Sequence, residues 1–121
     1  MKTNKIILIL IGLVLTQALF ALPESTQKYA LVIGNGAYSG LSRLTNPVND
    51  ANDIAAVLEY LGFSVDVILD ANLDTMEKAV FRLRDNLSVS RDSYGFVFFA
   101  GHGVQNLGEN YLIPVDANIP S

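Results

Sequence analysis

The sequence predicts an α/β domain in which helices cover a mostly parallel sheet. Three observations carry that expectation. Short apolar runs alternate with longer segments of helical periodicity, and each apolar run ends at a glycine or another turn signal. The order is strand, helix, strand, helix, strand, and helical crossovers are how parallel strands are joined. The chain has 121 residues, half of them hydrophobic, which is enough for one domain with a real core.

The first 21 residues, MKTNKIILILIGLVLTQALFA, stand apart from this pattern. Lys2 and Lys5 precede an apolar stretch, and small residues close it at Ala18 and Ala21. This reads as a secretory signal peptide, so the expected location is outside the cytoplasm, periplasmic or secreted. The uncharged run over residues 6–22 sits at the short edge of a bilayer span, which leaves a membrane anchor as the alternative. Residues 22–28 then serve as a short linker, and the domain occupies residues 29–121.

Within the domain, residues 29–33 (YALVI) form a wholly apolar first strand ended by Gly34-Asn35-Gly36. Asn46 is placed to cap the first helix, with Pro47 in its first turn. Ala51, Ile54, Ala55, Leu58 and Leu61 follow at helical spacing, and Gly62 suits the position just past the end. Residues 63–69 (FSVDVIL) alternate as a second strand. Asp74 and Glu77 have capping-box spacing ahead of a second helix, whose apolar stripe is Met76, Ala79, Val80, Leu83 and Leu87. Residues 94–100 (YGFVFFA) are apolar on both faces and read as a central third strand. Residues 110–115 (NYLIPV) read as one short fourth strand, held to an edge or an end by Pro114.

In such sheets ligands collect at the carboxyl ends of the strands. Both glycine-bracketed turns, Gly34-Asn35-Gly36 and Gly101-His102-Gly103, fall there. The first is not a dinucleotide loop: Ser39 stands where G-x-G-x-x-G needs its third glycine, and the helix starts too late. The second carries the only histidine of the chain. An imidazole is the side chain suited to carrying protons near neutral pH, and Gly103 leaves a backbone N–H accessible to a developing oxyanion. The residues alone divide evenly between a catalytic His102 and one satisfied by local hydrogen bonds.

One histidine and no cysteine give no zinc site, and neither metal nor cofactor is expected. Beyond residue 21 the chain carries six Lys and Arg against twelve Asp and Glu, which argues against nucleic-acid binding.

Taken in order, YALVIGNGAY, NPVNDANDIAAVLEYLGF, YGFVFFAGHGVQ and GENYLIPVDA resemble the caspase-like cysteine peptidases, nearest to their bacterial, metacaspase-related branch. The resemblance runs from Tyr29 to Ala117. It implies a caspase-like three-layer sandwich with a mostly parallel sheet, of which this chain is the N-terminal part of the p20 catalytic domain. It also implies proteolysis by a Cys-His dyad on a peptide or protein substrate. His102 matches the dyad histidine, and Gly103 matches the donor of an oxyanion-hole N–H. Asp50, in the Asn49-Asp50 pair, matches an acidic residue that holds basic substrate side chains. A carboxylate stabilised by the helix dipole explains Asp50 at least as well.

The cysteine of that dyad is expected about 50 residues after the histidine. The chain ends 19 residues after His102 and contains no cysteine. Two classes of function follow. One is a cysteine endopeptidase represented by its histidine half, inactive alone. The other is a non-catalytic caspase-like module with a protein partner at an open sheet edge.

Overall fold

A computed structural model describes residues 26–118. The candidate signal peptide, and the Ser121 terminus, lie outside the described residues. Among those residues no helix is long and apolar enough to cross a membrane.

Strand β1 (Gln27–Gly34) lies at the centre of a three-stranded sheet of order β2-β1-β3, and both neighbours run parallel to it. Strand β2 covers Ser64–Leu69 and β3 covers Ser93–Ala100. Helix α1 (Pro47–Tyr60) crosses from β1 to β2, and helix α2 (Leu73–Ser88) crosses from β2 to β3. This is the mixed α/β architecture expected of a caspase-like fold.

The apolar character of β1 follows from its burial on both faces. Leu31 and Ile33 point to the α2 side, where they pack with Ile68, Ala71, Met76 and Ala79. Ala30 and Val32 point to the α1 side, against Ala51, Ala55 and Leu58. Leu31, Val32 and Ile33 are essentially inaccessible to water, and each such side chain contributes about 1.5–3 kcal/mol by burial. Three ion pairs among the described residues, Lys78–Asp74, Arg82–Asp66 and Arg84–Asp85, are solvent-exposed and add little.

Several expectations are corrected. The central strand is β1, and β3 is at the edge of the sheet among the described residues. The apolar run of β3 is therefore partly uncovered, with Tyr94, Phe96 and Val97 exposed. Asn46 precedes α1, but its side chain makes no capping bond and instead accepts from Thr45 Oγ1 at 3.3 Å. The cap of α2 is Asn72, whose Oδ1 accepts from the Thr75 N–H at 2.9 Å. Asp74 lies inside the first turn and pairs with Lys78 at 2.7 Å. Val80 faces solvent and does not join the buried stripe. Gly62 does adopt the left-handed conformation (φ 83°) that ends α1.

The segment after β3 is a hairpin in place of one strand. Strands β4 (Gly103–Asn106) and β5 (Glu109–Leu112) pair antiparallel. Leu107 and Gly108 turn between them with φ of 51° and 85°. Two positive φ values match a type I′ turn, whose twist suits a tight hairpin.

Candidate active site

The strands of the parallel sheet end level: Gly34 is in register with Leu69 on one side and Ala100 on the other. Their exits therefore form one platform. Gly34 abuts helix α1 so closely that a Cβ would lie 2.5 Å from the Pro47 carbonyl oxygen and 2.7 Å from Ala51 Cβ. That contact brings the first turn of α1 to the carboxyl end of β1.

Two polar side chains organise the platform. Asn35 is fully buried; its Oδ1 accepts from the Ala71 N–H at 2.9 Å, and its Nδ2 reaches the carbonyls of Ala71 and Ile113 at 3.3 and 3.4 Å. It thus ties the exits of β1, β2 and β5 together. Asp70, in the left-handed region (φ 48°), accepts from the N–H groups of Gly36 and Ala37 at 2.9 and 2.8 Å. The chain after β5 crosses the same edge. Val115 N–H donates to the Ala71 carbonyl, and Asp116 Oδ1 accepts from the Leu73 N–H at the start of α2.

His102 stands where β3 leaves the sheet, half-buried between Gly101 and Gly103. Its N–H donates to Tyr38 Oη at 2.8 Å, and its carbonyl accepts from the Ile113 N–H at 3.0 Å. The Tyr38 hydroxyl donates in turn to the Ile113 carbonyl at 3.0 Å. The Tyr38 and His102 rings meet edge to face, with centroids 4.6 Å apart at 62°. His102 Nε2 lies 2.8 Å from the Ser42 carbonyl oxygen. A carbonyl only accepts, so this contact assigns a proton to Nε2, and in the neutral ring the lone pair then falls on Nδ1. Burial pushes the Tyr38 phenol above its ordinary value; the His102 N–H bond lowers it, and the Asp70 carboxylate raises it further.

Gly103 opens β4 opposite Leu112. The bond from Ile113 N–H to the His102 carbonyl makes this a non-hydrogen-bonded pair, so the Gly103 N–H points away from β5. Gly103 is exposed, and that N–H is open to a ligand.

Asp50 is exposed in the first turn of α1. Among the described residues its side chain joins no ion pair. It shares the carboxyl edge with His102 through the Gly34–Pro47 contact, but no hydrogen bond connects the two. The sequence placed the Gly34-Asn35-Gly36 turn, His102 and Gly103 on this edge; its expectations left out the tie made by the Asn35 side chain, and Tyr38, Ser42 and Asp70. A lone aromatic inside the Gly/Ser/Asn-rich loop was the available signal for Tyr38.

The fold now meets its class of protein: the chain belongs to the caspase family, whose domain model, described as "Caspase domain", matches residues 27–120. Among curated proteins it is 35% identical over 98 residues to human (Homo sapiens) mucosa-associated lymphoid tissue lymphoma translocation protein 1. It is equally similar, 35% over 98 residues, to the homolog from Mus musculus. Each alignment takes in 81% of this chain and 12% of the relative, so the chain spans about an eighth of the length of either relative.

Proposed function

We propose that this domain supplies the histidine and the oxyanion donor of a caspase-type cysteine endopeptidase site. The observation that carries the reading is the fixed imidazole of His102. With Nε2–H held on the Ser42 carbonyl, Nδ1 is free to take the proton of a thiol and return it to the leaving amine. The Gly103 N–H, turned away from its hairpin partner, is placed to stabilise the tetrahedral oxyanion. The 121 residues hold no cysteine, so the nucleophile has to come from outside them. Asp50 would hold an Arg or Lys side chain of the substrate, since it is an exposed carboxylate that joins no ion pair among the described residues. Export from the cytoplasm belongs to the same proposal and rests on the character of residues 1–21.

The test is hydrolysis of fluorogenic peptides ending in Arg, Lys or Asp. The 121-residue chain is expected to be inactive, and robust hydrolysis by it would sink the dyad. A chain extended with a cysteine-bearing caspase segment is expected to cleave after basic residues. In that chain His102→Ala should lower kcat by roughly 10²–10⁴-fold, and Asp50→Ala should raise KM for basic substrates. Cleavage after Asp would remove the role of Asp50 and leave His102 intact.

A second reading is favoured by one observation. The edge strand β3 exposes Tyr94, Phe96 and Val97, which suits a module that binds a protein partner.

A further inference from the structure

We propose that Tyr38 is the positioning residue of His102: its hydroxyl straps the histidine N–H to the Ile113 carbonyl, and its ring, packed against the imidazole, holds it with Nε2 on the Ser42 carbonyl. This deepens the reading above and rests on His102 as the proton carrier.

Tyr38 is only 3% exposed, although it sits in a polar loop. Burial alone would be served as well by phenylalanine, because an unpaired buried hydroxyl is costly. The hydroxyl is retained in a place where both its partners are backbone groups of the site. It accepts from His102 at 2.8 Å and donates to Ile113 at 3.0 Å. The His102 carbonyl is bonded to the Ile113 N–H directly. The peptide groups on either side of the His102 Cα are therefore tied to one residue, one through the phenol and one without an intermediary.

The approach of the phenol depends on Gly101. A Cβ there would lie 2.5 Å from Tyr38 Oη and 2.7 Å from the Phe99 ring, so the chain bends around the hydroxyl only without a side chain. The edge-to-face ring contact then restricts rotation of the imidazole, whose other restraint is the Nε2 bond to Ser42. A ring held in one orientation and one tautomer has no reorganisation left to make when a proton moves. Because the phenol must donate to Ile113 while accepting from His102, it acts as a neutral group, in keeping with burial raising its ionisation range.

The experiment uses the fact that His102 is the only histidine. Its ring nitrogens give the sole imidazole signals in a long-range ¹H–¹⁵N spectrum of the labelled 121-residue chain, recorded at about pH 9, where an ordinary imidazole is neutral. The native chain is expected to show the Nε2–H tautomer. Tyr38→Phe keeps the ring and deletes the hydroxyl; it should lower the ratio of Nε2–H to Nδ1–H at least threefold. Tyr38→Leu, which removes the ring contact too, should lower it more. Ala79→Gly, which weakens α2 on the α2 face of the sheet, should leave the ratio unchanged. A native ratio in folded Tyr38→Phe overturns the proposal, as does an equal shift in Ala79→Gly. If Tyr38→Phe does not fold, Gly101→Ala displaces the phenol without deleting it and must produce the same fall; an unchanged ratio there overturns the proposal. No thiol enters this measurement, so it stands or falls separately from the peptidase assay on His102→Ala.

Discussion

A buried phenol with two backbone partners makes the domain sensitive to strong alkali. The Tyr38 pKa is raised above the ordinary 10.0 on folding, chiefly by burial. The folded state therefore holds its proton more tightly than the unfolded chain. The stability linked to it is fully present below the unfolded value of about 10 and is lost as pH rises through the folded one. Thermal melts between about pH 9 and 12 should show a fall in Tm for the native chain that is smaller in Tyr38→Phe. Equal falls would show that other groups govern the alkaline limb. Asn35 illustrates the same residue-scale logic without charge. All of its buried polar atoms are paired, and among the described residues no buried side-chain nitrogen or oxygen lacks a partner.

At the scale of elements, the caps separate a local signal from a tertiary one. Asp74 and Glu77 have the spacing of a capping box, yet Asn72 begins the helix two residues earlier, and its side chain takes the Thr75 N–H. Asn72→Ala should cost about 1 kcal/mol, whereas Asp74→Ala removes only an exposed dipole and ion-pair contribution of about 0.5 kcal/mol. Urea titrations of the two variants measure the difference, and equal losses would return the cap to Asp74. The strands, the helices and their order were legible because apolar periodicity reports burial directly, as in Leu31 to Ile33. Which strand is central was not legible. Residues 94–100 look as apolar as β1, and only pairing distinguishes a strand with two neighbours from one with a neighbour on one side. The hairpin was not legible: the sequence showed one strand over residues 110–115, and Leu107 gives no turn signal although it adopts a positive φ. At the site, Gly-His-Gly marked the right edge, but Tyr38 and Ser42 lie 64 and 60 positions before His102. No local pattern reports contacts at that separation.

For the whole molecule, the outward face and edge of β3 decide behaviour in solution. Tyr94, Phe96 and Val97 lie exposed on a strand with a neighbour on one side only among the described residues. An apolar edge of this kind pairs readily with another chain. The 121-residue chain should self-associate on sedimentation, and Val97→Lys should shift it toward monomer by placing charge on the exposed strand. A native chain that sediments as a monomer and melts cooperatively would contradict this expectation and would also weaken the partner-binding reading.

The level ends of the three strands have a kinetic corollary. Every residue of β4 and β5 is exposed, so the hairpin has little burial to keep it closed and belongs with the regions that open most often. Ile113 is different: it is buried, and its carbonyl is gripped by Asn35 and Tyr38 on the sheet platform. The hairpin can thus fray from the Leu107–Gly108 tip toward its base while the last link, from Ile113 to His102, stays shut. Fluctuation is admitted at the rim and stopped one residue short of the imidazole, so the histidine inherits the lifetime of the sheet rather than that of the ribbon attached to it.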